Sequence, residues 1–345
     1  MSANLTSIQD VAQLQELLSE PTEGVVRILG GLDGDIVVLG VGGKMGPSLA
    51  RRARRAIQNA KVRKRIVAVA RFSDNSLHDN LESDGIETLV SDLLEPGALA
   101  KLPDIPNVIF MAARKFGTTG SEDLTWAMNT LLPALVAERY RKSRIVAFST
   151  GNVYPLTDVT RGGADESTLA APQGEYAQSA LGRERMFEYG SRQSGTPVVI
   201  LRLNYAIDLR YGVLRDIGTA VFERRPIDLR MGFVNVIWQG DANSVCLRSF
   251  AHCQSPPMVL NLTGPETLPV RHIAEEFGHR FGVRPEFTSK EMPTALLSNA
   301  AKAIQLFGRP AVTVSEMIDW TAAWISSGGA RLNKPTHFEV RDGKF

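Results

Sequence analysis

The hydrophobic run Asp35-Ile-Val-Val-Leu39 leads directly into Gly40-Val-Gly42-Gly43-Lys-Met-Gly46, and the residues that follow place Leu49, Ala53, Ala56 and Ile57 at helical spacing. Glycine can turn the chain through backbone angles closed to other residues, and it lets a ligand approach the main chain closely. A helix that starts just after such a turn points its free N–H groups at whatever the turn holds, which favours an anion. Strand, glycine turn and helix in this order read as the cradle for the pyrophosphate of a dinucleotide, and the surrounding elements supply the context that an isolated glycine pattern lacks.

The rest of the chain agrees with that start. Short β-branched runs at Asp35 to Leu39, Arg65 to Ala70, Ile86 to Val90, Asn107 to Met111, Arg144 to Phe148 and Val198 to Leu203 alternate with helix candidates at Gly46 to Ala60, Glu122 to Arg141 and Gly174 to Ser194. Such alternation predicts an α/β fold, a doubly wound parallel sheet of Rossmann type. After Asn204 the alternation loosens: Arg215 to Glu223 reads as helical, Phe233 to Trp238 as extended, Ala242 to Cys253 as helical and Val259 to Leu262 as extended. We therefore expect an N-terminal helical extension over 1–33, with Thr22 capping its second helix, a nucleotide-binding domain over 34–204, and a smaller C-terminal substrate lobe over 205–345 that interleaves with the main sheet. The segment from Lys334 to Phe345 alternates apolar residues and reads as an edge strand.

Composition removes several classes of function. With 39 basic and 37 acidic residues the chain has no strong charge balance to draw it to nucleic acid, and the arginines from Arg51 to Arg55 fit a solvated helix face. Cys246 and Cys253 provide neither a disulfide framework nor metal-ligand spacing, so no metal is expected. No apolar run is long enough to span a membrane, and the polar N-terminus does not read as a signal peptide; a cytoplasmic location is expected.

Several further motifs occur in a fixed order: Ser91-Asp92-Leu93, Phe110-Met-Ala112-Ala113, Ser149-Thr150 with Val153-Tyr154, Tyr176 at the start of a long helix, Leu201-Arg-Leu-Asn204, and Trp238-Gln-Gly-Asp-Ala242. Together with the spacing of Gly40, Gly43 and Gly46, this set resembles the extended short-chain dehydrogenase/reductase family, of the NAD-dependent epimerase/dehydratase type. The resemblance implies that Gly40, Gly43, Lys44, Met45 and Gly46 hold the cofactor's phosphates, Asp92 and Leu93 border the adenine, and Ala112 and Ala113 line the inner edge of the cofactor. It also implies a small-molecule substrate and a homodimer paired through the Glu122–Arg141 and Gly174–Ser194 helices. By the same likeness Tyr176 is the general acid/base, Thr150 bonds the reacting oxygen, and Lys115, Asn152 and Asn204 meet the substrate.

One position departs from the family pattern. The tyrosine is normally followed four residues later by a lysine, and here Tyr176-Ala-Gln-Ser-Ala180 has alanine. Alanine can neither bond the nicotinamide ribose nor favour phenolate, so another cation must serve if the chemistry is retained. Arg183, seven residues on, returns to the same helix face and is the first candidate; Lys115 is the second.

The second strand ends in Arg71-Phe72-Ser73, without the acidic residue that NAD-specific relatives place there, which favours NADP over NAD, with Asp74 as an alternative ribose partner. The region from Pro226 to Phe233 lacks the Gly-Asp-Gly loop of nucleotide-sugar members, so a small sugar or sugar acid is the expected substrate, with Arg215 or Arg230 meeting an anionic group. The expected function is an NAD(P)-dependent oxidoreductase or epimerase acting on a secondary alcohol or ketone by hydride transfer. The alternative is a non-catalytic NAD(P)-binding sensor or scaffold that lost the lysine, a reading that retention of Thr150 and Tyr176 opposes.

Overall fold

A computed structural model of the chain describes residues 7–73, 75–334 and 336–343. Seven strands, β1 (Ile36–Leu39), β2 (Ile66–Ala70), β3 (Glu87–Val90), β4 (Asn107–Phe110), β5 (Arg144–Thr150), β6 (Val198–Leu203) and β7 (Met258–Leu262), form one sheet in the order β7-β6-β5-β4-β1-β2-β3, paired in parallel throughout. Register is even: Ile36 lies beside Ile66 on one side and Asn107 on the other. Parallel strands need crossovers that cover both faces, which is why β1 and β4 are buried from end to end rather than alternating.

Two apolar clusters cover the two faces. One joins Val38, Ile109 and Val146 to Leu49, Ala53 and Ile57 of α3 (Gly46–Asn59), and the other joins Val37, Leu39 and Val108 to Val136 and Phe187. Two helices precede the sheet, α1 (Val11–Ser19) and α2 (Glu23–Gly31), and Thr22 caps the second by accepting from Val25 N–H. They lie on their own chain: Val25 and Leu29 join the cluster around α3, and Arg52 of α3 donates twice to Leu18 O. The extension is thus a cover for α3.

The next helices are α4 (Asn75–Ser83), α5 (Glu122–Trp126), α6 (Leu132–Arg139) and α7 (Gly174–Ser194). The single helix expected over Glu122 to Arg141 is interrupted by a π-helical turn over Ala127–Leu131. Within that turn Asn129 is fully buried and bonds Arg114 and Ser179, so tertiary hydrogen bonds replace the regular helical register.

Beyond β6 come α8 (Val213–Phe222), α9 (Gln239–Arg248), α10 (Val270–Phe281), α11 (Ala301–Phe307) and α12 (Val314–Ser326). Helices α8, α10 and α12 surround a third cluster that includes Val213, Phe277, Trp320 and Trp324. The extended segment expected over Phe233 to Trp238 is two short pairings, Phe233–Val234 with Leu268–Pro269 and Ile237–Trp238 with Ala206–Ile207. The helix expected to reach Cys253 ends at Arg248 and continues as a 3-10 turn to His252. Residues 336–343 contain no strand; the expected edge strand is instead an irregular segment crossing the molecule.

Candidate functional site

The glycine loop divides three tasks among its glycines. Gly40 has φ +89, and a Cβ there would come within 2.6 Å of the Ala112 backbone, so the turn needs glycine both for its angle and for its packing on the end of β4. A Cβ on Gly46 would lie 2.1 Å from Val41 O, so glycine lets α3 begin directly against the strand end. At Gly43 the nearest atom would be Gly40 O at 3.7 Å, which leaves that side of the loop open. No side chain caps α3, whose N-cap is Met45. An open glycine before an uncapped helix start fits a pyrophosphate, because the free N–H groups then find their acceptors on the ligand.

The residues expected to border the adenosine follow β2 and β3. Arg71 is two-thirds exposed with Nη1 3.9 Å from Asp92 Oδ2, too long for a hydrogen bond and loose for an ion pair. Asp92 accepts from Leu94 N–H, and Leu93 is buried under the sheet. Asp74 lies outside the described residues. Ala112 packs beneath Gly40, and Ala113 is exposed.

The carboxyl ends of β4, β5 and β6 bring the expected catalytic residues to one end of the sheet. Thr150 ends β5, is buried, and its hydroxyl accepts from Asn152 N–H at 3.2 Å and from the Asn152 amide at 3.0 Å. That leaves the threonine's own proton to donate. Asn204 follows β6, buried, with its amide 3.4 Å from Leu296 O. Tyr176 sits in the first turn of α7, 8% exposed.

The missing lysine position is filled by packing. Ala180 is fully buried in a cluster with Val153, Tyr154 and Ala164. Arg183 does face Tyr176 electrostatically, but its guanidinium is held elsewhere: Nη1 donates to Phe148 O at 2.9 Å and Nη2 to Asn129 Oδ1 at 2.8 Å. Burial pushes its pKa down. Arg183 thus ties α7 to β5 and to the π turn, where the sequence suggested a replacement for the lysine.

Lys115, the second candidate, lies beside Tyr176. Its Nζ lies 5.8 Å from the Tyr176 ring centroid and 5.3 Å from that of Phe116, and burial pushes its pKa down to about 8. Lys44, expected to serve the cofactor loop, sends its side chain away from it: Nζ sits 3.0 Å from the Tyr211 ring centroid. Burial, then the charges of Lys115 and Lys334, bring its pKa to about 7.

Sequence reasoning missed the network behind the site. Glu184 of α7 accepts from Ser149 Oγ at 2.6 Å and from Arg202 Nη2 at 2.6 Å; Arg202 also donates to Tyr154 Oη at 2.7 Å, and Tyr154 to Asn261 Oδ1 at 2.9 Å. These bonds lock the ends of β5, β6 and β7 to α7. The repeated β-run motifs hinted at Tyr154 and Arg202, but nothing in the local pattern marked Glu184, Asn129 or Tyr211.

Beside Tyr211 a cavity of about 410 Å³ opens between α8 and the segment after α12, bordered by Arg215, Asp216, Arg225, Arg331 and Glu339. Burial and then the charge of Arg331 lower Arg215 to about 10. Arg230, proposed with Arg215 as an anion contact, instead pairs with Asp228 at 2.6 Å and is exposed. Among the described residues no group of histidine, cysteine or carboxylate side chains is placed to hold a metal, and no helix is long and apolar enough to cross a membrane.

A glycine-cradled, doubly wound parallel sheet with a tyrosine at the start of the helix after β5 defines a Rossmann-type nucleotide-binding enzyme. The family model described as "NAD dependent epimerase/dehydratase family" matches residues 36–207, and the chain belongs to that family of enzymes. No curated protein matches the chain. Among solved structures it is similar to UDP-galactose 4-epimerase, at 21% identity and TM-score 0.66, covering 85% of this chain and 99% of that one. MoeE5, solved with UDP-glucose and NAD, matches at 19% identity and TM-score 0.68, covering 86% and 99%. The UDP-glucuronic acid 4-epimerase of Bacillus cereus, solved with NAD, matches at 18% identity and TM-score 0.69, covering 85% and 99%. At these identities the likeness establishes the fold.

Proposed function

We propose that the protein is an NAD(P)-dependent epimerase or oxidoreductase acting on a secondary alcohol or ketone of an anionic sugar derivative, with Tyr176 as general acid/base and Lys115 as the cation that stands in for the absent lysine. The observation that carries this is the approach of Lys115 Nζ to the Tyr176 ring at 5.8 Å. When bound, the dinucleotide supplies the hydride acceptor at the nicotinamide. Gly43 and the start of α3 hold its phosphates, and Ala112 supports the loop from below. Tyr176 takes the hydroxyl proton of the substrate, Thr150 donates to the same oxygen, and the Lys115 ammonium favours phenolate. Arg183, permanently charged, holds Asn129 and the π turn in register without relaying a proton.

The cofactor reading favours NADP, because Arg71 is exposed at the end of β2 and only loosely engaged with Asp92, free to meet a 2′-phosphate. NAD in the solved relatives keeps the other dinucleotide in play. The arginine-bordered cavity beside Tyr211 supports a substrate with a phosphate or carboxylate at its far end, such as a sugar acid, and its size suits a ligand of that class. Exposed Leu131 and Leu135 near α6 and Tyr189 on α7 support a homodimer paired through these helices. The free cysteines, both raised in pKa by burial and thus poorly reactive, agree with a reducing cytoplasm.

Fluorescence titration with NADPH and NADH tests the cofactor, and reduced-cofactor absorbance with sugar acids, sugar phosphates and UDP-sugars tests the chemistry. The reading expects NADPH to bind more tightly and turnover to vanish in Tyr176→Phe. Binding without turnover or product inversion on any substrate would instead favour a non-catalytic sensor.

A further inference from the structure

We propose that residues 336–343 form a fixed wall of the catalytic cleft and that Thr336 and Glu339 are positioning residues for the Lys115 amine; this rests on the reading of Lys115 as the cation of the site. The segment is anchored at several points that belong to different elements. Thr336 gives both its N–H, at 2.8 Å, and its hydroxyl, at 2.5 Å, to Asp216 Oδ2 on α8, while its carbonyl accepts from Lys115 Nζ at 3.5 Å. One residue on, the His337 ring lies 6.0 Å from Phe116, the neighbour of Lys115. Phe338 then turns into the apolar cluster around α8, α10 and α12. Arg341 donates to Arg230 O at 2.8 Å and to Thr294 O at 2.7 Å.

The far end of the wall meets the turn that launches Tyr176. A Cβ on Gly174 would lie 2.3 Å from Gly343 O, and one on Gly343 would lie 2.2 Å from Gln173 O. Both glycines have positive φ, so the two backbones cross in contact where no larger residue fits. The segment therefore runs from α8, over Lys115 and Phe116, to the start of α7, and two of its residues, Phe338 and Glu339, also border the cavity beside Tyr211. Anchors at both ends mark a wall, Thr336 buried against Asp216 and Gly343 half-buried with its backbone packed on Gly174, since a lid would leave one end unattached.

The wall acts on Lys115 in two opposed ways. It excludes water, which disfavours the ammonium, and it brings the Glu339 carboxylate near, which favours it. The other ionisable groups facing this cluster are Lys44 from the glycine loop, Tyr176 from α7, Tyr205 after β6, Tyr211 and Asp216 at α8, His337 within the wall and Lys334 before it. A merely structural segment would not produce opposite shifts on removal of its charge and removal of its bulk.

The test is an NMR titration of lysines after reductive methylation with isotope-labelled formaldehyde, with the Lys115 signal assigned by its loss in Lys115→Arg. In the full chain Lys115 titrates at about 8. In Glu339→Gln it moves down by several tenths of a unit, and in a chain stopped after Lys334 it moves up by roughly one unit or more as water reaches the amine. An unchanged Lys115 titration in both variants overturns the proposal. Should the shortened chain lose its near-ultraviolet circular dichroism, Glu339→Gln decides alone, because its backbone anchors remain. The measurement needs no substrate, so a failed catalytic reading shows separately, as turnover that survives Tyr176→Phe.

Discussion

Replacing Gly43 and Gly46 by alanine, one at a time, separates what the glycine loop does for the fold from what it does for the ligand. At Gly46 the added methyl would sit 2.1 Å from Val41 O and 2.7 Å from Val41 C, all of it backbone that cannot rotate away. The start of α3 must then shift, and overpacking of this kind costs about 1–3 kcal/mol in the free protein. At Gly43 the same methyl meets nothing nearer than 3.7 Å and the backbone is outside the positive-φ region. Folding therefore loses nothing, and restricting the unfolded chain adds about 0.4–1 kcal/mol of stability. The methyl does project where the phosphates must come closest. Losing one charge-assisted N–H bond there costs about 1.5–3 kcal/mol, or roughly a 10- to 150-fold rise in Kd at about 1.4 kcal/mol per tenfold.

Thermal unfolding of the free proteins and fluorescence titration with NADPH read the two effects independently. Gly46→Ala lowers Tm and also weakens binding; Gly43→Ala holds or raises Tm and weakens binding tenfold or more. A Gly43→Ala protein that binds the dinucleotide within twofold of the parent would refute the cradle.

Other expectations follow from single contacts. Arg71→Asp should shift preference toward NAD by tenfold or more in the ratio of Kd values, since it trades attraction for repulsion at a 2′-phosphate; an unaltered ratio places that contact elsewhere. Because Lys115 loses its proton near pH 8, turnover that needs its charge declines as pH rises through about 8, and a pH–rate profile of Lys115→Met should lack that limb. The depressed pKa of Lys44, about 7 against an ordinary 10.5, means the unfolded chain holds a proton that the folded one has lost between those values. Stability from this group therefore rises with pH across that window, and denaturant unfolding of Lys44→Met should show a flatter rise. Arg202→Met strands the buried Glu184 carboxylate, at a cost of about 3–5 kcal/mol by denaturant unfolding. Leu131→Asp combined with Leu135→Asp should yield a monomer by light scattering if the helices α6 and α7 pair two copies.

How far the sequence could be read depended on the range of the interactions involved. All seven strands of the sheet and helices α3 and α7 follow local periodicity, and their bounds agree with the expectation to within two residues. The glycine loop was legible because its constraint is steric and local. The π turn was not, because Asn129 trades helical register for bonds to Arg114 and Ser179, which are distant in sequence or on another element. The same holds for Lys44, whose side chain leaves the loop for Tyr211, and for Arg183, which helical spacing places correctly beside Tyr176 while its guanidinium is claimed by Phe148 and Asn129. Alternating apolar residues after Lys334 pointed to a strand, yet the anchors on Asp216, Thr294 and Gln173 draw that segment across the cleft. Periodicity reports which side of an element is buried and is silent about which polar partner a long side chain will find.

The most direct test of the catalytic claim is NMR of reaction mixtures containing the protein, the dinucleotide it binds more tightly, and sugar acids, sugar phosphates or UDP-sugars, following both inversion and oxidation at each secondary carbinol. Conversion of at least one substrate class by the parent chain, abolished in Tyr176→Phe and sharply reduced in Lys115→Met, is the predicted result. Conversion that persists unchanged in Tyr176→Phe would contradict the assignment of the general acid/base, and a tightly bound dinucleotide with no conversion of any substrate would contradict catalysis at this site altogether.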